Sequence, residues 1–238
     1  KNFHKLFGQN PRNPENEEIT QFHMDIAASI QKITEDIMVK LARAIRKEYN
    51  IKNLCLAGGV ALNCVANGKI ISEKITSNLW IQPASGDAGG SIGSALYFYN
   101  IVKKLPVNKK NLMRGSFLGP SFSNKEVLND LKALGAKYKK KEYNILNKYI
   151  AKMIAKGKII GWFQGRMEFG PRALGNRSII ADPTNLEMQR TLNLKIKYRE
   201  SFRPFAPSVM REDLSEWFEM DCDSPYMLLV SDVLKSKR

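Results

Sequence analysis

Histidine is almost missing from this 238-residue chain, which has two, His4 and His23. A Ser-His-Asp or Cys-His nucleophile needs an imidazole base, and a zinc site draws on grouped histidines and cysteines, so the residue count argues against both chemistries. Cysteine is scarce as well: Cys55, Cys64 and Cys222 form no CxxC pair. That leaves neither a zinc motif nor a disulfide framework and points to a reducing, cytoplasmic setting. No apolar run comes near the roughly 20 residues a membrane-spanning helix needs, so no membrane partner is expected. The chain shows no signal peptide. It opens on the polar run "KNFHKLFGQNPRNPENEE", without Met, and the expectation is a piece of a longer protein.

What the chain has is positive charge, 38 Lys and Arg against 23 Asp and Glu, for a net +15 and a pI near 9.7. Such a balance invites a nucleic-acid or anionic-surface partner. The lysines, however, are spread through stretches such as "KYKKKEYNILNK" and "LPVNKKNLMR", with no recognised aromatic-interleaved motif, and read as solvated surface. Nucleic acid is therefore not the expected partner. Arginine is distributed differently. Seven of the 12 Arg (Arg166, Arg172, Arg177, Arg190, Arg199, Arg203 and Arg211) fall between residues 160 and 211, where the only lysines are Lys195 and Lys197. Arginine offers a planar fork that grips carboxylate or phosphate in two places and tolerates burial, whereas lysine is a hydrated point charge. The residue choice in "EFGPRALGNRS" (168–178) is thus a chemical one.

With 43% hydrophobic and 9% aromatic content, the chain can bury a core in one large or two modest domains. Ile19, Phe22, Ile26, Ile30, Ile33, Ile37, Leu41 and Ile45 recur at spacings of three and four, which predicts one apolar stripe on a long helix packed against a sheet. "NLCLAGG" reads as a buried strand and glycine turn, "VALNCVANGKI" as the next helix, "LWIQP" as a second strand, and "ASGDAGGSIGSAL" as a glycine turn entering a helix. Strand, glycine turn and helix, twice over, is α/β architecture. The pattern lapses at 105–115, so one domain is placed at 1–104 and another at 116–238. In the second, "GSFLGP" reads as a strand, Ser123 and Glu126 as a capping box, "NILNKYIAKMIAKG" as a helix closed by Gly157, and "KIIGWFQ" as a buried strand. Thr184 and Glu187 suggest another capping box for a helix to about Lys195, and "FRPFAPSVM" and "YMLLV" read as strands.

Three constellations can carry chemistry. Gly58 and Gly59 follow a strand and open a helix, where bare N–H groups favour an anion, and Asp87 lies between glycines at a strand end, suited to a cation that holds phosphate. Taken singly, each is equally a tight turn, with Asp87 as an N-cap. Arg166, Arg172, Arg177, Arg199 and Arg203 form the third and stronger signal. Their charges call either for internal carboxylates (Glu168, Asp182, Glu187, Glu200) or for a bound polyanion of the kind phosphoryl transfer handles. Two of them flank a glycine-proline loop rather than alternating with acids on a helix face, which favours the anion.

The motifs "NLCLAGGVALNCVANGKI", "IQPASGDAGGSIGSAL", "GPSFSNKEV", "GWFQGRMEFGPRALGNRSIIADP" and "RESFRPFAPSV" resemble, in order and over most of the chain, the O-carbamoyltransferases of the NodU/CmcH type, which decorate nodulation factors and antibiotics. The resemblance implies the second half of an actin-like ATPase domain (ASKHA, ribonuclease H-like) followed by a partial YrdC-like α/β domain. It implies an enzyme that makes carbamoyl-adenylate from carbamoyl phosphate and ATP and passes the carbamoyl group to a hydroxyl of a small-molecule acceptor. By the same resemblance Asp87 matches a metal ligand for Fe or Mg, and Gly58, Gly59 and Asn63 match a nucleotide-contacting loop. Arg166, Arg172, Asn176, Arg177, Ser178, Arg199 and Arg203 match the carbamoyl-phosphate and ATP site, with Arg172, Arg177 and Glu168 as its catalytic core. The family's metal-binding histidine pair lies upstream of the matched region, so the chain alone is expected to be inactive. An RNA-binding or tRNA threonylcarbamoyl-modification module is the alternative.

Overall fold

A computed structural model describes residues 3–107 and 113–238. Of the expected domain boundary at 105–115, residues 108–112 lie outside the described residues.

A short helix, α1 (Phe3–Phe7), precedes the long helix α2 (Gln21–Tyr49). His23 Nδ1 accepts the Thr20 backbone N–H at 3.1 Å and closes the first turn of α2, which gives this histidine a capping role. At the other end Asn50 adopts the left-handed conformation and returns its N–H to the Arg46 carbonyl. The apolar stripe does not pack as its spacing predicts. Val39 and Ala42 are the residues of α2 that become buried, against Ile70 and Ile75 and the strand residues Leu54, Leu56 and Leu79. Ile30, Ile33, Ile37, Leu41 and Ile45 remain 44–60% exposed. The helix docks by the face whose small side chains permit close approach, and the bulky stripe points away.

Behind α2 lie β1 (Asn53–Leu56), α3 (Cys64–Ser72), β2 (Asn78–Ile81) and α4 (Gly89–Tyr97). β1 and β2 pair in parallel, Asn53 opposite Asn78 through Leu56 opposite Ile81, with α3 as the crossover. Strand, glycine turn and helix therefore repeat as expected, although alternate residues of β1, including Cys55, are exposed rather than buried. A second apolar cluster joins Ala61 and Ile81 to Leu228 from the far end of the chain. There Val230 donates its N–H to the Cys64 carbonyl at 3.2 Å, and the fully buried Asn67 donates from Nδ2 to the Leu228 carbonyl at 3.0 Å. The segment around Leu228, inside the span assigned to the second domain, thus completes the core of the first.

The remaining elements are α5 (Asn124–Ala133), α6 (Tyr143–Ala155), β3 (Ile160–Phe163), β4 (Arg177–Ile180), α7 (Met188–Thr191) and α8 (Leu214–Trp217). Ser123 and Glu126 form the expected capping box on α5, with Ser123 donating its N–H to Glu126 Oε2 at 2.7 Å. β3 and β4 are an antiparallel pair, Ile160 opposite Ile180 and Phe163 opposite Arg177. The arginine motif is therefore the loop of a hairpin.

Four local expectations are corrected. "GSFLGP" is no ladder strand: Arg114–Ser116 is a tight turn with left-handed φ at Gly115 and Ser116, after which Gly119 donates its N–H to the Met167 carbonyl and the Pro120 carbonyl accepts the Met167 N–H. Thr184 does not cap a helix, because its N–H and hydroxyl both turn back to Asp182 Oδ1; α7 begins at Met188 and gives way to a π-helical turn, Leu192–Ile196. "FRPFAPSVM" contributes no strand, since Pro204 and Pro207 remove two ladder donors. "YMLLV" packs on α3 without a ladder. Among the described residues no helix is long and apolar enough to cross a membrane.

Candidate functional site

The hairpin loop between Gln164 and Asn176 is organised by one buried carboxylate. Glu168 is 4% exposed. Its Oε1 accepts the backbone N–H groups of Leu174 at 2.6 Å and Asn176 at 2.9 Å, and its Oε2 accepts Arg177 Nε–H at 3.0 Å. Burial alone would push its pKa up, but the hydrogen bonds from Asn176, Leu174 and Arg177 outweigh it and hold the carboxyl below its ordinary value. Arg177 also donates from Nη2 to the Gly170 carbonyl at 2.9 Å, Asn176 from Nδ2 to the Arg166 carbonyl at 2.6 Å, and Gly175 from its N–H to Ser178 Oγ at 2.9 Å. The loop is fastened at its base by Ser116, which accepts the Phe169 N–H at 2.7 Å and donates its hydroxyl to the Phe169 carbonyl at 2.5 Å. Four of the expected site residues, Glu168, Asn176, Arg177 and Ser178, thus brace the loop.

The five arginines differ in their partners. Arg177 and Arg203 pair with carboxylates, Glu168 and Glu200 respectively. Arg199 donates from Nε to Asn193 Oδ1 at 2.6 Å and lies over the Phe205 ring at 4.9 Å. Arg166 and Arg172 make no ion pair among the described residues, and Arg172 Nε is buried without a hydrogen-bond partner. A buried guanidinium N–H with no acceptor carries its full desolvation cost, so Arg172 is the fork still poised for an anion.

The "RESFR" segment has its own organiser. Asn193, fully buried, donates from Nδ2 to the carbonyls of Ser201 at 3.0 Å and Arg203 at 2.8 Å while its Oδ1 holds Arg199. Gln189 adds a donor to the Arg203 carbonyl at 3.1 Å. Sequence reasoning missed Asn193 and Ser116. The available signal for Asn193 was an amide between Leu192 and Leu194 within a stretch read as helix, where its helix propensity is poor. No hydrogen bond or ion pair joins this segment to the hairpin loop among the described residues.

In the first unit both glycine turns sit at the carboxyl ends of the parallel strands, where open α/β sheets place ligands. Gly58, at φ +97, donates its N–H to the Ser85 carbonyl at 2.8 Å, tying the two turns together. An added Cβ at Gly58 or Gly59 would meet nothing within 4 Å, so a ligand has room to approach. Asn63 is engaged by the protein: its Oδ1 accepts the Ala66 N–H at the start of α3, and its Nδ2 donates to Gln31 at 2.9 Å. Asp87 is exposed. Among the described residues no three His, Cys, Asp or Glu side chains come together, and Asp87 stands as a single candidate donor.

Comparison with known proteins matches residues 1–96 to the model for the carbamoyltransferase N-terminus and residues 151–238 to that for the carbamoyltransferase C-terminus. The chain is 53% identical over 242 residues to an uncharacterised protein of Synechocystis, covering 100% of this chain and 39% of the relative. It is 40% identical over 222 residues to the nodulation protein NolO of Bradyrhizobium diazoefficiens, covering 92% and 40%. It is 30% identical over 204 residues to the 3'-hydroxymethylcephem-O-carbamoyltransferase of Streptomyces clavuligerus, covering 85% and 36%. The chain therefore spans well under half the length of these relatives.

Proposed function

The chain belongs to the carbamoyltransferase family of the NodU/CmcH type, and from that premise we propose that it carries the carbamoyl-phosphate and ATP grip of an O-carbamoyltransferase. The observation that carries the reading is Arg172: a buried cationic N–H without an acceptor, on a loop that the buried Glu168 holds in one shape. A fixed cation costs no reorganisation when phosphate charge arrives. Arg166 supplies a second unpaired fork. Arg203 joins when a ligand displaces its exposed partner Glu200, since a surface pair contributes only about 0–1 kcal/mol.

In this reading water first cleaves carbamoyl phosphate to carbamate and phosphate, a carbamate oxygen attacks the α-phosphorus of ATP and expels pyrophosphate to give carbamoyl-adenylate, and an acceptor hydroxyl then attacks the carbamoyl carbon, loses its proton and releases AMP. The acceptor is a small molecule, by analogy with the relative named for a hydroxymethylcephem. Glu168 and Arg177 act by positioning rather than by touching the reacting atoms. The actin-like and YrdC-like folds belong to the same proposal. Asp87 alone does not define a metal site, and no step is routed through one.

The test is release of pyrophosphate from ATP by the intact protein as its gene encodes it. Release that requires carbamoyl phosphate supports the assignment; none in the presence of both substrates contradicts it. The competing reading, an RNA-binding or tRNA-modification module, is favoured by one observation. Eight lysines from Lys137 to Lys158 are all exposed, and none forms an ion pair among the described residues. RNA affinity that falls steeply with salt, as counterion release demands, would support that reading instead.

A further inference from the structure

The hairpin loop approaches the first unit at Gly170. Gly170, at φ +131, lies against the turn that follows β2: an added Cβ would come 3.0 Å from the Pro83 carbonyl oxygen and 3.5 Å from Ala84 Cα. Ser85 is the next residue of that turn, and Arg172 is two residues further along the loop. Each carries a buried polar atom with no hydrogen-bond partner, Ser85 Oγ on one side and Arg172 Nε on the other.

Neither is left over because its segment is loose. The Ser85 carbonyl is held by the Gly58 N–H at 2.8 Å, and Ser85 as a whole is 5% exposed. The loop is held by Glu168, Arg177 and Ser116. Two donors in fixed segments, both out of water and one of them cationic, share a need for an acceptor that carries negative charge.

We propose that this seam is an anion site shared by the two units, in which Arg172 from the loop and Ser85 from the turn grip one phosphoryl group, that of an acyl phosphate or of a nucleotide. The proposal rests on the carbamoyl-phosphate reading above and adds to it a residue of the first unit. An anion bound here bridges the two units, so its binding also stabilises their contact.

Isothermal titration and thermal unfolding of the intact protein test this with inorganic phosphate, carbamoyl phosphate and ATP as separate probes. Ser85→Ala is expected to weaken binding about tenfold, the loss typical of one hydrogen bond to a charged group, while leaving the unliganded melting temperature unchanged or slightly raised, because Oγ has no partner to lose and its burial is costly. Ser85→Asp, which brings a carboxylate to Arg172, is expected to abolish anion binding and raise the unliganded melting temperature. If carbamoyl phosphate and inorganic phosphate lose affinity in Ser85→Ala, the site takes the acyl phosphate. If only ATP does, it takes the nucleotide's phosphate. Wild-type affinity for all three probes in Ser85→Ala, or a lowered unliganded melting temperature, overturns the shared site while leaving the loop's own grip standing. A wild-type protein that binds none of the three overturns both.

Discussion

Glu168 Oε2 accepts Arg177 Nε–H at 3.0 Å from a side chain that is wholly buried, while Arg177 stays about one-third exposed. The pair therefore braces the loop from within. Replacing Glu168 with Ala strands two backbone N–H groups and a guanidinium, and is expected to cost about 3 kcal/mol, read as a shift in the urea unfolding midpoint.

The same carboxylate sets a pH dependence. Its folded pKa is depressed, so its stabilisation is fully present above the unfolded value near 4.3 and is lost as pH falls through the lower folded value. Unfolding midpoints measured between about pH 6 and pH 3 should fall less steeply for Glu168→Gln than for the wild type.

Arg177 and Arg172 should separate cleanly under conservative substitution. Lysine cannot reach Glu168 and the Gly170 carbonyl with one rigid fork, so Arg177→Lys is expected to lose about 1–2 kcal/mol of stability. Arg172→Lys gives up no side-chain bond among the described residues and should unfold like the wild type. Equal losses in the two variants would mean that Arg172 is also structural.

Asn193 organises the "RESFR" segment through a single amide. Asn193→Ala removes donors from two carbonyls and the acceptor of Arg199, and is expected to cost about 2–3 kcal/mol. Asn193→Asp keeps the Arg199 bond but sets a carboxylate against the Ser201 and Arg203 carbonyls, so it should recover only part of that loss. Chemical denaturation of both variants checks the order.

Much of this site was legible before the fold. "EFGPRALGNRS" announced a cation-bearing loop because its glycines, its proline and its choice of arginine over lysine are local chemistry. The direction of Glu168 was not legible: a carboxylate among arginines pairs with them or faces solvent with equal right in a one-dimensional pattern. The stripe of α2 failed for a related reason. Apolar spacing marks the bulky face of a helix, but contact went to Val39 and Ala42, whose small size lets the helix approach its neighbours. Pro204 and Pro207 were visible and spoke against a strand at "FRPFAPSVM", and the apolar residues between them masked that signal. The return of Leu228 to Ala61 and Ile81 has no local signature, since it depends on packing across the length of the chain.

The most direct measurement is titration of the intact protein with carbamoyl phosphate, comparing wild type, Arg172→Ala and Arg211→Ala. Arg211 is an exposed arginine paired with Asp223 outside the loop and serves as the control. Binding that is lost in Arg172→Ala, with thermal stability kept, and retained in Arg211→Ala is the predicted result. Unchanged affinity in Arg172→Ala would contradict the assignment of that guanidinium as the anion's grip.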